Sequence, residues 1–194
     1  ALAQQEKMPV HVGLYLLALR HPLVVAREIA DLERLAPGRL VLGIGVGGED
    51  RREFENCGVN PATRGRRTDE SIVLLRQLLA GDVVSTAGEF FSLEEARIAP
   101  PPVQTVPLLV GGRSDAALLR TARYGDGWLA LWVSPERFAN AVTTIDEHAA
   151  LVGRAAPQWQ HGLNLWCGID SDRASGQAVL ASAMQERYKI PFER

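Results

Sequence analysis

Cysteine is scarce in these 194 residues: Cys57 and Cys167 stand far apart, with no CxxC spacing. That excludes a disulfide framework and a thiolate zinc site, and it points to reduced thiols in a cytoplasmic setting. Neither sign of charge is in excess, since 21 Lys and Arg face 23 Asp and Glu for a formal charge of -2. Without a global basic field, neither nucleic acid nor an anionic membrane is expected as a partner, and a bound anion must be held by local geometry. Long apolar runs are missing as well: none approaches the roughly 20 residues of a membrane span. The opening Ala1-Leu-Ala-Gln-Gln-Glu-Lys-Met8 lacks the basic and then apolar order of a signal peptide. Four scattered histidines (His11, His21, His148 and His161) form no Ser-His-Asp order and no metal-ligand pair, and no GxxxxGK[ST] phosphate loop occurs. No metal is expected, and no catalytic residue is assigned.

What is present is an alternation of short apolar runs with amphipathic stretches. Val10–Ala18, Leu40–Val46, Leu108–Val110, Gly127–Trp132 and Gly162–Gly168 read as strands that are apolar without alternation. Between and after them, Leu23–Leu35, Thr68–Leu79, Ala116–Tyr124, Pro135–Val152 and Ser171–Arg187 read as helices. Thr68 is the expected N-cap and Gly81 the stop of the second, while Ser134 precedes Pro135 at the start of the fourth. Val83–Leu93 reads as a small hairpin around Ala87-Gly88. Continuous apolar strands separated by helices predict a parallel sheet covered by helices, an α/β fold of about five βα units. Two architectures meet that description: a five-stranded doubly wound domain, or part of a (β/α)8 barrel, which usually takes roughly 250 residues.

Three glycine-containing strand ends are candidate sites. In Gly111-Gly112-Arg113-Ser114 the glycines permit a tight turn and close backbone approach. The following helix offers unpaired N–H groups, Ser114 a hydroxyl and Arg113 a charge. Asp115 in the first turn opposes an anion, and an ordinary turn with Ser114 as N-cap accounts for the same residues, so the spacing by itself favours the turn. Gly43-Ile-Gly-Val-Gly-Gly48 is not the GxGxxG fingerprint, and close packing explains it; Gly45 and Gly47 would leave room for a bulky ligand. Gly13-Leu14 ends the first strand, where Leu14 reads as a core residue. Arg51, Arg52, Arg64, Arg66 and Arg67 read as a solvated face, with an acidic ligand group as the competing reading. Tyr15, Trp128 and Trp132 read as rim aromatics, Trp128 being placed to line a pocket.

The segments "LYLLALRHPLVVAREIADLERLAPGRLVLGIGVGG", "EFENCGVNPATRGRRTDESIVLLRQLLAG", "PPVQTVPLLVGGRS" and "ARYGDGWLA", in this order, resemble the luciferase-like flavin monooxygenases and their deazaflavin (coenzyme F420) relatives. The residues "DSDRASGQAVLASAMQERYKIPFER" resemble the family's sixth or seventh helix region. The resemblance implies a TIM-type (β/α)8 barrel in a single domain over 1–194, with about strands 3 to 7 present and the first two and last βα units lacking. It implies FMN or F420 at the carboxyl ends of the strands, with the phosphate at Gly111, Gly112, Arg113 and Ser114. Gly13 and Leu14 would form a bulge with a non-prolyl cis peptide that backs the ring, and Gly45, Gly47 and Trp128 would lie nearby.

The function implied is hydride transfer to or from a small organic substrate, with monooxygenation as a variant open to FMN. The absence of a nucleophile suits an enzyme whose chemistry is carried by its cofactor. A catalytically inactive barrel remnant or flavin-binding protein is the alternative. Exposed edges of an incomplete barrel predict pairing with another chain, a homo-oligomer.

Overall fold

A computed structural model describes residues 1–4, 6–48, 50–154 and 158–189, which fall into two compact units, Ala1–Leu163 and Asn164–Arg194. The apolar runs become β1 (Val10–Leu16), β2 (Leu40–Gly45), β5 (Leu108–Gly111), β6 (Gly127–Leu131) and the short β7 (Gly162–Asn164). Between β2 and β5 lies the expected hairpin, β3 (Val84–Ala87) with β4 (Ser92–Ala96), paired antiparallel. The main sheet runs β1-β2-β5-β6-β7, each strand beside its successor in the sheet. The pairings of β1 with β2, β2 with β5 and β5 with β6 are parallel. A doubly wound sheet reverses its strand order at a switch point; this one does not, so its order is that of a barrel wall.

Helices α1 (Pro22–Leu35), α3 (Arg64–Ala80), α4 (Asp115–Tyr124) and α5 (Pro135–Leu151) cover one face, with a short α2 (Arg51–Asn56) after β2. The alternation of side chains along each strand selects what they cover. Leu40, Leu42 and Ile44 of β2 enter one core with Val25 and Ile29 of α1 and Ile72, Leu75 and Leu78 of α3. Trp128 and Ala130 of β6 enter another with Leu118 and Ala122 of α4 and Ala141, Ile145 and Ala149 of α5.

The sequence reading erred at three element ends. Thr68 is not a cap: it is fully buried inside α3, and its hydroxyl donates to the Arg64 carbonyl at 2.8 Å. The helix begins earlier because a 3-10 turn (Pro61–Thr63), capped by the Asn60 side chain on the Ala62 N–H at 3.0 Å, runs straight into it. The stretch 51–56, to which no element was assigned, is α2, started by Asp50 capping the Arg52 N–H at 2.9 Å. The last strand is three residues long and not seven. Gly81 does stop α3, at φ +83.

The second unit contains α6 (Arg173–Tyr188), opened by Asp172, whose carboxylate accepts from the Ser175 N–H at 3.0 Å. Gly168 and Gly176 pack backbone to backbone there: a Cβ at Gly168 would lie 2.0 Å from the Gly176 carbonyl oxygen.

In the sheet, a Cβ at Gly43 would lie 2.3 Å from the Val12 carbonyl oxygen of the neighbouring strand, an atom that cannot step aside. Gly43→Ala should therefore cost about 1–3 kcal/mol in urea unfolding. Gly58→Asn, at φ +69 with open space around it, should cost under about 1 kcal/mol.

Candidate functional site

Parallel strands bring their carboxyl ends to one edge of the sheet, and most of the residues singled out in the sequence meet there. Gly45 pairs in register with Leu16, and Gly111 with Leu129. The ladder between β1 and β2 shifts register between Val12 and Tyr15, and the Gly13–Leu14 peptide within that bulge is cis, as the resemblance implied. Leu14 is not a core residue: it is 40% exposed, and its side chain lies across β2 and β5. A Cβ built on Gly43, Gly45 or Gly111 would approach a Leu14 carbon to 3.0, 3.1 or 2.3 Å. The space left by these glycines is thus filled by Leu14. Gly47, at φ +66, leaves room for the ring of Phe54, fully buried on α2, which a Cβ there would meet at 2.7 Å. That contact was not legible in the sequence because α2 itself was missed.

The turn after β5 combines both readings of its sequence. Gly112 has φ +115, a conformation suited to glycine, and the Ser114 oxygen caps α4 by accepting from the Ala117 N–H at 3.4 Å. Around that ordinary cap, Arg113 and Ser114 are both exposed. The Arg113 guanidinium lies 5.9 Å from the Trp132 ring centroid, and its carbonyl accepts from Arg137 at 3.3 Å. Asp115 is exposed in the first turn.

Trp128 does not line this edge. It is 1% exposed among the helices, because the alternation along β6 sends it to the opposite face from Leu129. Its indole N–H donates to the Gly112 carbonyl at 2.7 Å, and its backbone N–H donates to His161 Nδ1 at 3.0 Å. Sequence reasoning had no signal for the second bond, which spans 33 residues. His21, the one histidine near the carboxyl end of an expected strand, caps α1 by accepting from the Leu23 N–H at 3.3 Å.

The arginines divide by partner. Arg51 pairs with Glu55 at 3.0 Å, Arg52 with Asp50 at 3.4 Å and Arg66 with Glu89. Arg67 donates to the Ala18 carbonyl at 2.8 Å and lies 4.4 Å over the Phe91 ring. Arg64 donates to the Pro61 carbonyl at 2.7 Å, while its Nε lies beside Gly48, buried without a hydrogen-bond partner among the described residues.

Among the described residues, no group of three or more His, Cys, Asp or Glu is placed to hold a metal ion. No helix of the described residues is long and apolar enough to cross a membrane. A cleft of about 640 Å³ lies between α3 and the hairpin, lined by Glu70, Gln77, Asp82 and Thr86, away from the strand ends. The Glu70 carboxylate is already engaged by the Phe90 and Phe91 N–H groups at 3.1 and 3.0 Å.

The comparisons with known proteins agree with this arrangement. The luciferase-like monooxygenase family model matches residues 1–191. An uncharacterized protein of Mycobacterium tuberculosis is 34% identical over 149 residues, 77% of this chain and 51% of that protein. The F420-dependent hydroxymycolic acid dehydrogenase of the same organism is 36% identical over 181 residues, 90% of this chain and 50% of that protein. An F420-dependent secondary alcohol dehydrogenase solved with an F420-acetone adduct superposes with a TM-score of 0.81 at 24% identity, over 98% of this chain and 61% of that one. The oxygenating constituent of 3,6-diketocamphane monooxygenase from Pseudomonas putida, solved with FMN, gives 0.77 at 17%, over 96% and 57%. The chain spans about half the length of the curated relatives it matches.

His161 yields a pH prediction. Burial pushes its imidazole below the usual histidine range, outweighing the opposite pull of Asp146. Below about pH 6.5 the unfolded chain then takes up this proton before the folded one does. The stability it contributes is complete above that pH and is lost as pH falls through it toward the lower folded value. Urea midpoints at pH 7.5, 6.5 and 5.5 should fall toward acid, and more steeply in the wild type than in His161→Gln.

Proposed function

We propose, from the premise that this chain belongs to the luciferase-like monooxygenase family, that it serves an FMN- or F420-dependent oxidoreductase acting on a small organic substrate. Its five sequential strands are read as part of the wall of a (β/α)8 barrel, with the cofactor at their carboxyl edge. Relatives and structural neighbours named for F420, or solved with F420 or FMN, support that choice of cofactors.

The observation that carries the reading is the turn from Gly111 to Ser114, at the carboxyl end of β5 and the head of α4. Its residues fit the phosphate group that FMN and F420 share. Gly112 at φ +115 turns the backbone with no side chain in the way, and the N-terminal amides of α4 offer partial positive charge. The Ser114 oxygen accepts from the helix, which leaves its hydroxyl proton to donate, and Arg113 adds a full charge. Asp115, exposed in the first turn of α4, opposes the anion and is no part of that set. On β1, beyond β2, Gly13 and Leu14 would back a flat ring: Leu14 presents an exposed apolar surface held in place by Gly45 and Gly111. Gly47 would border the same edge. Trp128 would act from behind, through the Gly112 carbonyl.

A bound FMN or F420 would supply hydride transfer at its ring, and reduced FMN would in addition react with dioxygen. The chain's part is to bind the phosphate, orient the ring on Leu14 and keep water from one face.

Titration with FMN and with F420, followed by fluorescence, tests the reading, with NAD(P)H or F420H2 turnover as the second readout. Gly112→Val forces a branched side chain into φ +115, where a Cβ already meets Ala117 at 3.0 Å. It should weaken binding at least about tenfold with helix content unchanged. A colourless wild-type protein with no affinity for either cofactor overturns the enzyme reading and favours an inactive remnant.

A further inference from the structure

We infer that Trp128 and His161 act as the positioning pair of the turn from Gly111 to Ser114, aiming the Arg113 N–H at the ligand; as ligand geometry this rests on the function proposed above. Carbonyl and N–H of one trans peptide point in opposite directions. The Gly112 carbonyl is held at 2.7 Å by the indole N–H of Trp128, which lies on the helix-covered face of the sheet. The N–H of the next residue, Arg113, therefore points away from that face. Glycine at φ +115 has wide conformational freedom, so without the indole this peptide is free to rotate.

Trp128 is itself immobilised. Its ring is 1% exposed and stacks on Phe138 of α5, with centroids 5.4 Å apart and planes at 29°. Its backbone N–H donates to His161 Nδ1 at 3.0 Å, and that bond requires Nδ1 to carry no proton. His161 stacks in turn on Trp159, 5.5 Å between centroids, and the Trp159 indole N–H donates to Asp146 of α5 at 2.5 Å. The chain of contacts runs from α5 to the turn that opens α4, and none of its side chains needs to touch the ligand.

Trp128→Phe keeps an aromatic ring against Phe138 and removes the donor. The expected result is a lowered backbone order parameter at Arg113 in NMR relaxation, and affinity for FMN and F420 reduced about tenfold, roughly one hydrogen bond. The thermal midpoint should shift by no more than a few degrees. His161→Gln, whose amide oxygen can accept the same N–H, should retain binding, and His161→Ala should lose it; that split carries the test if Trp128→Phe does not fold. A wild-type order parameter at Arg113 together with wild-type affinity in Trp128→Phe overturns the inference. If the wild type binds neither cofactor, the proposed function fails separately. The order parameter at Arg113 then decides alone: a lowered value upholds the positioning role and an unchanged one refutes it.

Discussion

One leucine side chain lying across two neighbouring strands sets the geometry on which the candidate site depends. Leu14 leaves the bulge in β1 and rests where Gly43, Gly45 and Gly111 have no side chains. The contact at Gly111 is close enough that even a methyl group there would overlap it. Because β1, β2 and β5 meet around this one group, their carboxyl ends are fixed relative to one another. The turn after β5 and the glycines after β2 inherit that alignment.

The other face of the same strands is conventional core. Leu40, Leu42 and Ile44 pack on α1 and α3, and Trp128 and Ala130 pack on α4 and α5. A polar junction ties the amino ends together. The Asp126 carboxylate accepts from the Leu108 N–H at 2.8 Å and pairs with Arg76 at 2.9 Å, while its backbone bonds to Leu108 and Gln160. The ion pair is roughly a third exposed, and its Coulomb energy is screened accordingly. Its larger effect is to satisfy backbone groups where strands begin, since an unpaired amide there costs more than an ion pair of this exposure returns.

The family match and the strand-end geometry bear on different questions. Membership of the luciferase-like family indicates which class of cofactor to test. The geometry assigns tasks: the turn at Gly112 is an ordinary helix cap that also leaves an arginine and a serine exposed at the edge. Structural neighbours at 24% and 17% identity speak to the fold alone.

Much of the fold was legible in the sequence. Continuous apolar runs and helical spacing located the main strands and helices and the hairpin, because burial period and glycine stops are local properties of the chain. The turn from Gly111 to Ser114, and Ser114 as its cap, were legible for the same reason. Element ends at Thr68 and Arg51 were not, since a 3-10 turn feeding a helix and a six-residue helix leave little periodicity to read. What only the tertiary structure decided was direction. Leu14 emerges onto an exposed edge instead of the core, and Trp128 turns away from that edge to hold Gly112 from behind, with His161 holding Trp128 from 33 residues away. Local sequence specifies that a residue is apolar and sits on a strand; which face it takes, and which distant donor meets it, depends on how neighbouring strands approach.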